Sequence, residues 1–146
     1  MTTEAELAER VGALENRVEL WDLVTRYGMA VDDDDYEALG HMFVEDAEFH
    51  SIDGGGGVGS TAIVDYIRHR AETKHAQRVH TPTSQNLIEL TSDTATGVVS
   101  SFAALFPGDG SHEFFAFRYL DRYRKVRGQW RFAHRRVHSV QHIHRP

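Results

Sequence analysis

The feature that most constrains this chain is a change of apolar rhythm between Thr73 and Val79. Before it, apolar side chains recur at helical spacing: Leu7, Val11, Leu14, Val18, Trp21 and Val24, with Leu20, Leu23 and Tyr27 widening the stripe. That stripe predicts a long helix from Glu4 to Val31, with Gly12 as a candidate break. The acidic run Asp32 to Asp35 interrupts the pattern. Tyr36, Leu39, Met42 and Phe43 resume it as a short second helix, N-capped by Asp33 or Asp34. Ala47 to Ile52 reads as a strand, Gly54 to Gly59 as a loop without regular structure, and Ser60 as the cap of a third helix carrying Ile63, Tyr66 and Ile67 and ending near Thr73. Beyond that point the pattern predicts strands over Val79–Leu90, Thr94–Leu105, Glu113–Arg127 and Trp130–Val140. The turn signals between them, such as Pro107-Gly108-Asp109-Gly110, make consecutive strands antiparallel neighbours. Helices first and strands later define an α+β plan in which helices cover one face of a sheet. No linker or repeat divides the chain, so residues 1–146 are read as a single domain.

Charge narrows the partners. Sixteen Lys and Arg against twenty-two Asp and Glu give a formal charge of -6, which repels phosphate backbones and argues against nucleic acid. The late basic run, Arg118 to Arg136, is expected to pair with the acidic helices or a neighbouring subunit. No Cys is present, so neither a disulfide framework nor a thiolate nucleophile is available. The acidic N-terminus lacks an apolar signal core and no stretch is long enough to span a membrane, so a cytoplasmic protein without membrane partners is expected.

The segment Tyr27-Gly28-Met29-Ala30-Val31-Asp32-Asp33-Asp34-Asp35-Tyr36-Glu37-Ala38-Leu39, followed by Met42 to Phe49, resembles the helix-to-helix entry of SnoaL-like domains in the nuclear transport factor 2-like superfamily. The closing hairpin, Asp121 to Arg124 through Gly128-Gln129-Trp130 to Arg135, resembles them too. The resemblance implies a cone-shaped barrel: three N-terminal helices on a strongly curved, mixed but mainly antiparallel sheet enclosing an apolar pocket. Within the superfamily the chain resembles the cofactor-free lyases scytalone dehydratase, bile acid 7α-dehydratase and hexachlorocyclohexane dehydrochlorinase. By that resemblance Asp32 and His80 occupy the positions of a catalytic dyad, Tyr27 that of a pocket tyrosine and Arg135 that of a pocket arginine. The second pocket histidine of scytalone dehydratase has no counterpart, since Phe102 and its neighbours are apolar or small.

The residues carry their own readings. His80 lies where a loop becomes sheet, and an imidazole there accepts a proton near neutral pH if a carboxylate fixes its other nitrogen; the alternative is a structural histidine. Asp32 follows the apolar stretch Met29-Ala30-Val31, so it is expected to be half-buried and to need a partner, whereas the other aspartates act as caps and turn formers. Tyr27, five residues earlier, faces the same cavity or packs in the core. Strict alternation puts Arg135 opposite Trp130 and Phe132, with Arg136 on their face, and a bulge would exchange the two. His134, His138, His142 and His144 do not make a metal shell, because no nearby Cys or Asp completes one, and are read as a solvated tail. The glycine segment lacks the sequence of a phosphate cradle and is read as a mobile flap.

These readings lead to a cofactor-independent lyase (dehydratase) or isomerase, of polyketide-like or steroid-like cyclic molecules, with His80 as base, Asp32 orienting it, Tyr27 donating a hydrogen bond and Arg135 stabilising negative charge. No cofactor or metal is called for. A non-catalytic binding or assembly module and a dioxygenase small subunit are the alternatives. The outer sheet face needs cover, so a homo-oligomer is expected, a trimer before a dimer by resemblance to the dehydratases.

Overall fold

Thr3 fixes the start of the first helix, α1 (Glu4–Asp32). Its Oγ1 accepts the Glu6 N–H at 3.1 Å, and the Glu6 carboxylate accepts the Thr3 N–H at 2.8 Å. In the computed structural model, which describes residues 1–74 and 76–146 apart from the side chains of Ser139 and Val140, the helix runs unbroken through Gly12. One glycine costs a helix only about 1 kcal/mol relative to alanine, which the buried second half offsets. Leu20, Leu23, Val24, Tyr27, Ala30 and Val31 are buried, whereas the stripe from Leu7 to Val18 is exposed.

The four aspartates that follow have four different tasks. Asp32 turns toward the sheet, Asp33 ends the helix with its N–H on the Met29 carbonyl, and Asp34 adopts a left-handed conformation and accepts from Arg78 and Tyr36. Asp35, rather than Asp33 or Asp34, caps the second helix, α2 (Tyr36–His41): its carboxylate accepts the Ala38 N–H at 3.1 Å. Phe43 lies outside this helix and begins β1 (Phe43–His50), because the Phe132 N–H bonds the Met42 carbonyl and pulls the chain into parallel pairing. Tertiary pairing overrides the local helical pattern there.

The glycine segment holds more structure than its composition suggests. Gly56–Val58 forms a short strand, β2, antiparallel to β1, and Asp53 anchors its approach by accepting from Gly55 and Tyr66. A Cβ on Gly56 would fall 1.9 Å from the Phe49 carbonyl oxygen, so only glycine permits this pairing. Ser60 opens α3 (Ser60–Lys74), but its hydroxyl donates to the Gly40 carbonyl at 2.7 Å and ties α3 to α2 instead of capping its own helix.

The remaining strands are β3 (Gln77–Leu90), β4 (Thr94–Phe106), β5 (His112–Val126) and β6 (Gln129–Arg145), each antiparallel to the next. The curved sheet has the order β2-β1-β6-β5-β4-β3, with β1 and β6 parallel. It is open, with β2 and β3 as its edges, so the expected barrel does not close. The closing strand reaches Arg145, beyond the expected end, and pairs with β5 throughout; the histidines read as a tail lie in this strand. His142 stacks on Phe115 at 4.4 Å and meets Glu113 at 3.1 Å. Of the basic run, Arg124 pairs with Asp46 on β1, not with a helix. No helix among the described residues is long and apolar enough to cross a membrane.

Candidate active site

β3 passes the C-terminal end of α1, and Gly28 allows the close approach. A Cβ at that position would lie 3.0 Å from the His80 carbonyl oxygen. The contact brings Asp32 against His80 in a two-point grip: one carboxylate oxygen accepts the His80 backbone N–H at 2.8 Å, and the other lies 2.6 Å from the ring Nδ1. Both side chains are mostly enclosed, at 17% and 20% exposure. An ionised carboxylate only accepts hydrogen bonds, so this contact places the proton on Nδ1 and leaves Nε2 of the neutral ring with its lone pair.

His80 lines a cavity of about 170 Å³ whose walls include Tyr27, Val31, Phe49, Ile67, Phe117 and Tyr119. Basic side chains, Arg70, Lys74 and Arg78, border it as well. Of these, Arg70 is held by Ser51, Tyr66 and Asp53, and Arg78 by the Val31 carbonyl and Asp34. On the β4 side the wall is Ala103 and Leu105; the other face of the strand carries Phe102, which is exposed. Tyr27 thus shares the cavity with His80, and the pairing of Asp32 with His80 is direct.

Arg135 is brought inward but not into the cavity lining. The register of β5 with β6 slips between Arg122/His134 and Tyr123/Phe132, which makes Ala133 an extra residue. Phe132 and Arg135 therefore share the inner side, contrary to strict alternation, while Arg136 is exposed. The Arg135 side chain is fully buried and forms a fork with Asp121, Nε to Oδ1 at 3.0 Å and Nη2 to Oδ2 at 3.2 Å. Its guanidinium carbon sits 3.5 Å from the Tyr119 ring centroid and 4.3 Å from those of Tyr27 and Phe132. Burial works against its charge, but Asp121 and the surrounding tyrosines outweigh that and hold it more firmly protonated than usual. Burial pushes the Asp121 carboxyl up, opposed by Arg135 and by the Tyr123 hydroxyl that donates to it at 2.8 Å. Two donors facing two acceptors keep this pair ionised.

Burial also raises three tyrosines: Tyr119 is pushed up to about 12, and Tyr27 and Tyr123 move upward too. Tyrosine in an unfolded chain ionises near about pH 10. Below that, both states keep the proton; above it, the unfolded chain loses protons that the folded chain retains. Stability is therefore complete below about pH 10 and falls as pH rises through the folded values. The urea midpoint is expected to be lower at about pH 11 than at about pH 9, with a smaller drop in Tyr119→Phe. Equal drops in both proteins would remove this tyrosine as a cause.

Sequence reading missed Tyr119, Asp121 and Tyr123, although a signal was present. Phe117, Tyr119, Asp121 and Tyr123 occupy alternate, inward positions of β5, and a carboxylate in such a row demands a buried cation. It also missed an acidic neighbour for His134. Glu48 and His50 of β1 lie beside it, the Glu48 carboxylate 3.4 Å from His50 and 3.9 Å from His134. Burial, then Arg122 and His50, pushes His134 down.

Known proteins agree with this architecture. A scytalone dehydratase-like protein from Novosphingobium aromaticivorans superposes with a TM-score of 0.84 at 19% identity, over 92% of this chain and 90% of that one. A type 2 hexachlorocyclohexane dehydrochlorinase gives 0.85 at 17% identity, over 94% and 93%. A nuclear transport factor 2-like protein with a cystatin-like fold, also from Novosphingobium aromaticivorans, gives 0.80 at 28% identity, over 97% and 92%. No curated protein matches the chain in sequence. The SnoaL-like domain profile matches residues 12–136, nearly the whole of the helices and sheet just described, and the chain belongs to the SnoaL-like domain family.

Proposed function

We propose that the cavity carries out proton transfer at carbon without a cofactor, as a lyase of the dehydratase kind or an isomerase acting on a hydrophobic cyclic small molecule. The observation that carries this reading is the two-point grip of Asp32 on His80, which fixes both the strand and the imidazole tautomer. In this mechanism Nε2 of His80 takes a proton from a carbon next to an activating carbonyl. The C–H electron pair becomes a C=C bond as a neighbouring hydroxyl leaves as water with the proton returned by the His80 imidazolium, or the imidazolium returns that proton to another carbon of the conjugated system. Asp32 stabilises the imidazolium formed in between. Tyr27, kept protonated by burial, donates a hydrogen bond to the oxygen on which charge develops. Arg135 is enclosed beneath the rings and is assigned a positioning role through Tyr27 and Tyr119 rather than contact with ligand. Apolar walls strengthen each of these interactions.

The cavity, about 170 Å³, is smaller than the roughly 300–1,000 Å³ typical of sites for drug-sized ligands, which favours one or two rings over a steroid skeleton. The test is incubation with a bicyclic ketone such as tetralone in deuterated water, followed by mass spectrometry. Label is expected at the carbon beside the carbonyl with the wild type and only at the buffer rate with His80→Ala. Equal uptake with both proteins would defeat the proposal.

A further inference from the structure

The first helix is apolar on two opposite sides. Taking Asn16 as the centre of the side facing the sheet, where its amide oxygen accepts from Lys125 and Trp130, Leu20, Leu23 and Tyr27 fall within about 40° of it at roughly 100° per residue. Leu7, Val11, Leu14, Val18 and Trp21 fall within about 40° of the far side by the same count. Those five are exposed at 54%, 45%, 62%, 68% and 37%, although the first four residues of the row are purely aliphatic. Scattered exposed apolar side chains need no explanation, but a continuous row along one side of a helix does.

The spacing of the row is four, three, four and three, which is the seam pattern of a two-helix coiled coil: Val11 and Val18 at one core position, Leu7, Leu14 and Trp21 at the other. We propose that this face is a contact between two copies of the chain, packed as a short parallel helix pair. β-Branched residues at the first position with leucine at the second favour two strands. The flanking charges choose the direction. Arg10 and Arg17 border the seam on one side, and Glu15 and Asp22 on the other. In a parallel pair, Arg10 of one copy lies opposite Glu15 of the other, and Arg17 opposite Asp22. An antiparallel pair would set arginine against arginine and carboxylate against carboxylate. Asp22 also holds Arg26 on its own helix at 3.0 Å, an exposed contact that Arg17 can share.

Two heptads are few for an isolated coil, but here the helix already exists. The Thr3–Glu6 capping box starts it and the buried half from Leu20 anchors it, so the contact orders no new backbone. Each domain is attached on the side opposite the seam and does not obstruct it. This inference is independent of the chemistry in the cavity.

Because the chain has no cysteine, Val18→Cys tests the register directly. In a parallel pair the two copies of this residue face each other within the reach of a disulfide. Under mild oxidation Val18→Cys is expected to form covalent dimer about tenfold faster than Glu19→Cys, which points off the seam, by the effective concentration of the paired helices. Adding Leu14→Glu should abolish that advantage. Sedimentation equilibrium of the wild type should show a mass that rises with concentration through a dimerisation step missing from Leu14→Glu/Val18→Glu. Equal cross-linking at the two cysteines, or unchanged sedimentation of the double variant, overturns the proposal. All substituted side chains are exposed, and if the charged variant fails to fold by circular dichroism, the comparison of the two cysteines decides alone.

Discussion

His80→Ala is expected to lower the rate of label exchange by a factor of about 10²–10⁴, the range a positioned general base contributes. Ligand affinity should change little, because the remaining walls of the cavity, apolar for the most part and bordered by Arg70, Lys74 and Arg78, stay in place. Asp32→Ala should fall in the same range for a compound reason. It removes the group that fixes the tautomer and leaves the His80 backbone N–H without its acceptor, a loss of about 1–3 kcal/mol where that group is enclosed. Because the two residues act as one unit, the double variant should be no slower than about the worse single variant. Rates multiplying in the double variant would mean the groups work separately. Wild-type rates in both single variants would leave the cavity as a binding site only.

The largest expected effect on stability is at Asp121. Its carboxylate and the Arg135 guanidinium are both at 0% side-chain exposure, so truncating the acid strands a cation among aromatic rings. Breaking a buried pair this way costs about 3–5 kcal/mol, a large part of the roughly 5–15 kcal/mol that holds a typical domain together. Asp121→Ala should therefore show a much lower urea midpoint than wild type. Replacing both partners, as in Asp121→Leu with Arg135→Met, removes charge and counter-charge together and should recover most of the loss. Tyr123 and Gln85 would then lose part of their hydrogen-bond chain, so full recovery is not expected. If the double replacement is as unstable as Asp121→Ala, the cost lies in packing and not in the stranded charge.

The plan of helices and strands was readable because it rests on local periodicity. The alternation from Thr94 to Phe106 and the stripe from Leu20 to Val31 both survive in the fold. The resemblance set Asp32 beside His80, and the two side chains are in contact where α1 ends and β3 passes it. What sequence alone could not supply were features created by contact between distant segments. Phe43 reads as helix until β6 arrives beside it, and Gly56–Val58 reads as loop until β1 offers hydrogen bonds. Alternation alone sets Arg135 opposite Phe132, because the position of a bulge leaves no trace in a binary pattern. Its anchoring acid, fourteen residues away on the neighbouring strand, appears only once the register is known.

The surplus residue at Ala133 sets the sidedness of the closing strand as far as its second register shift, opposite Ala116 and Phe117. Deleting it would restore two-residue alternation up to that second shift and rotate the stretch between the two by half a turn. Arg135 would then swing to water, its neighbour would be driven inward, and Asp121 would be stranded without any atom of the charged pair having been substituted. Length drift at this position is thus penalised as severely as loss of the ion pair itself, and insertions in this lineage should accumulate in the glycine segment or at the tip before His112, where no buried charge depends on the count.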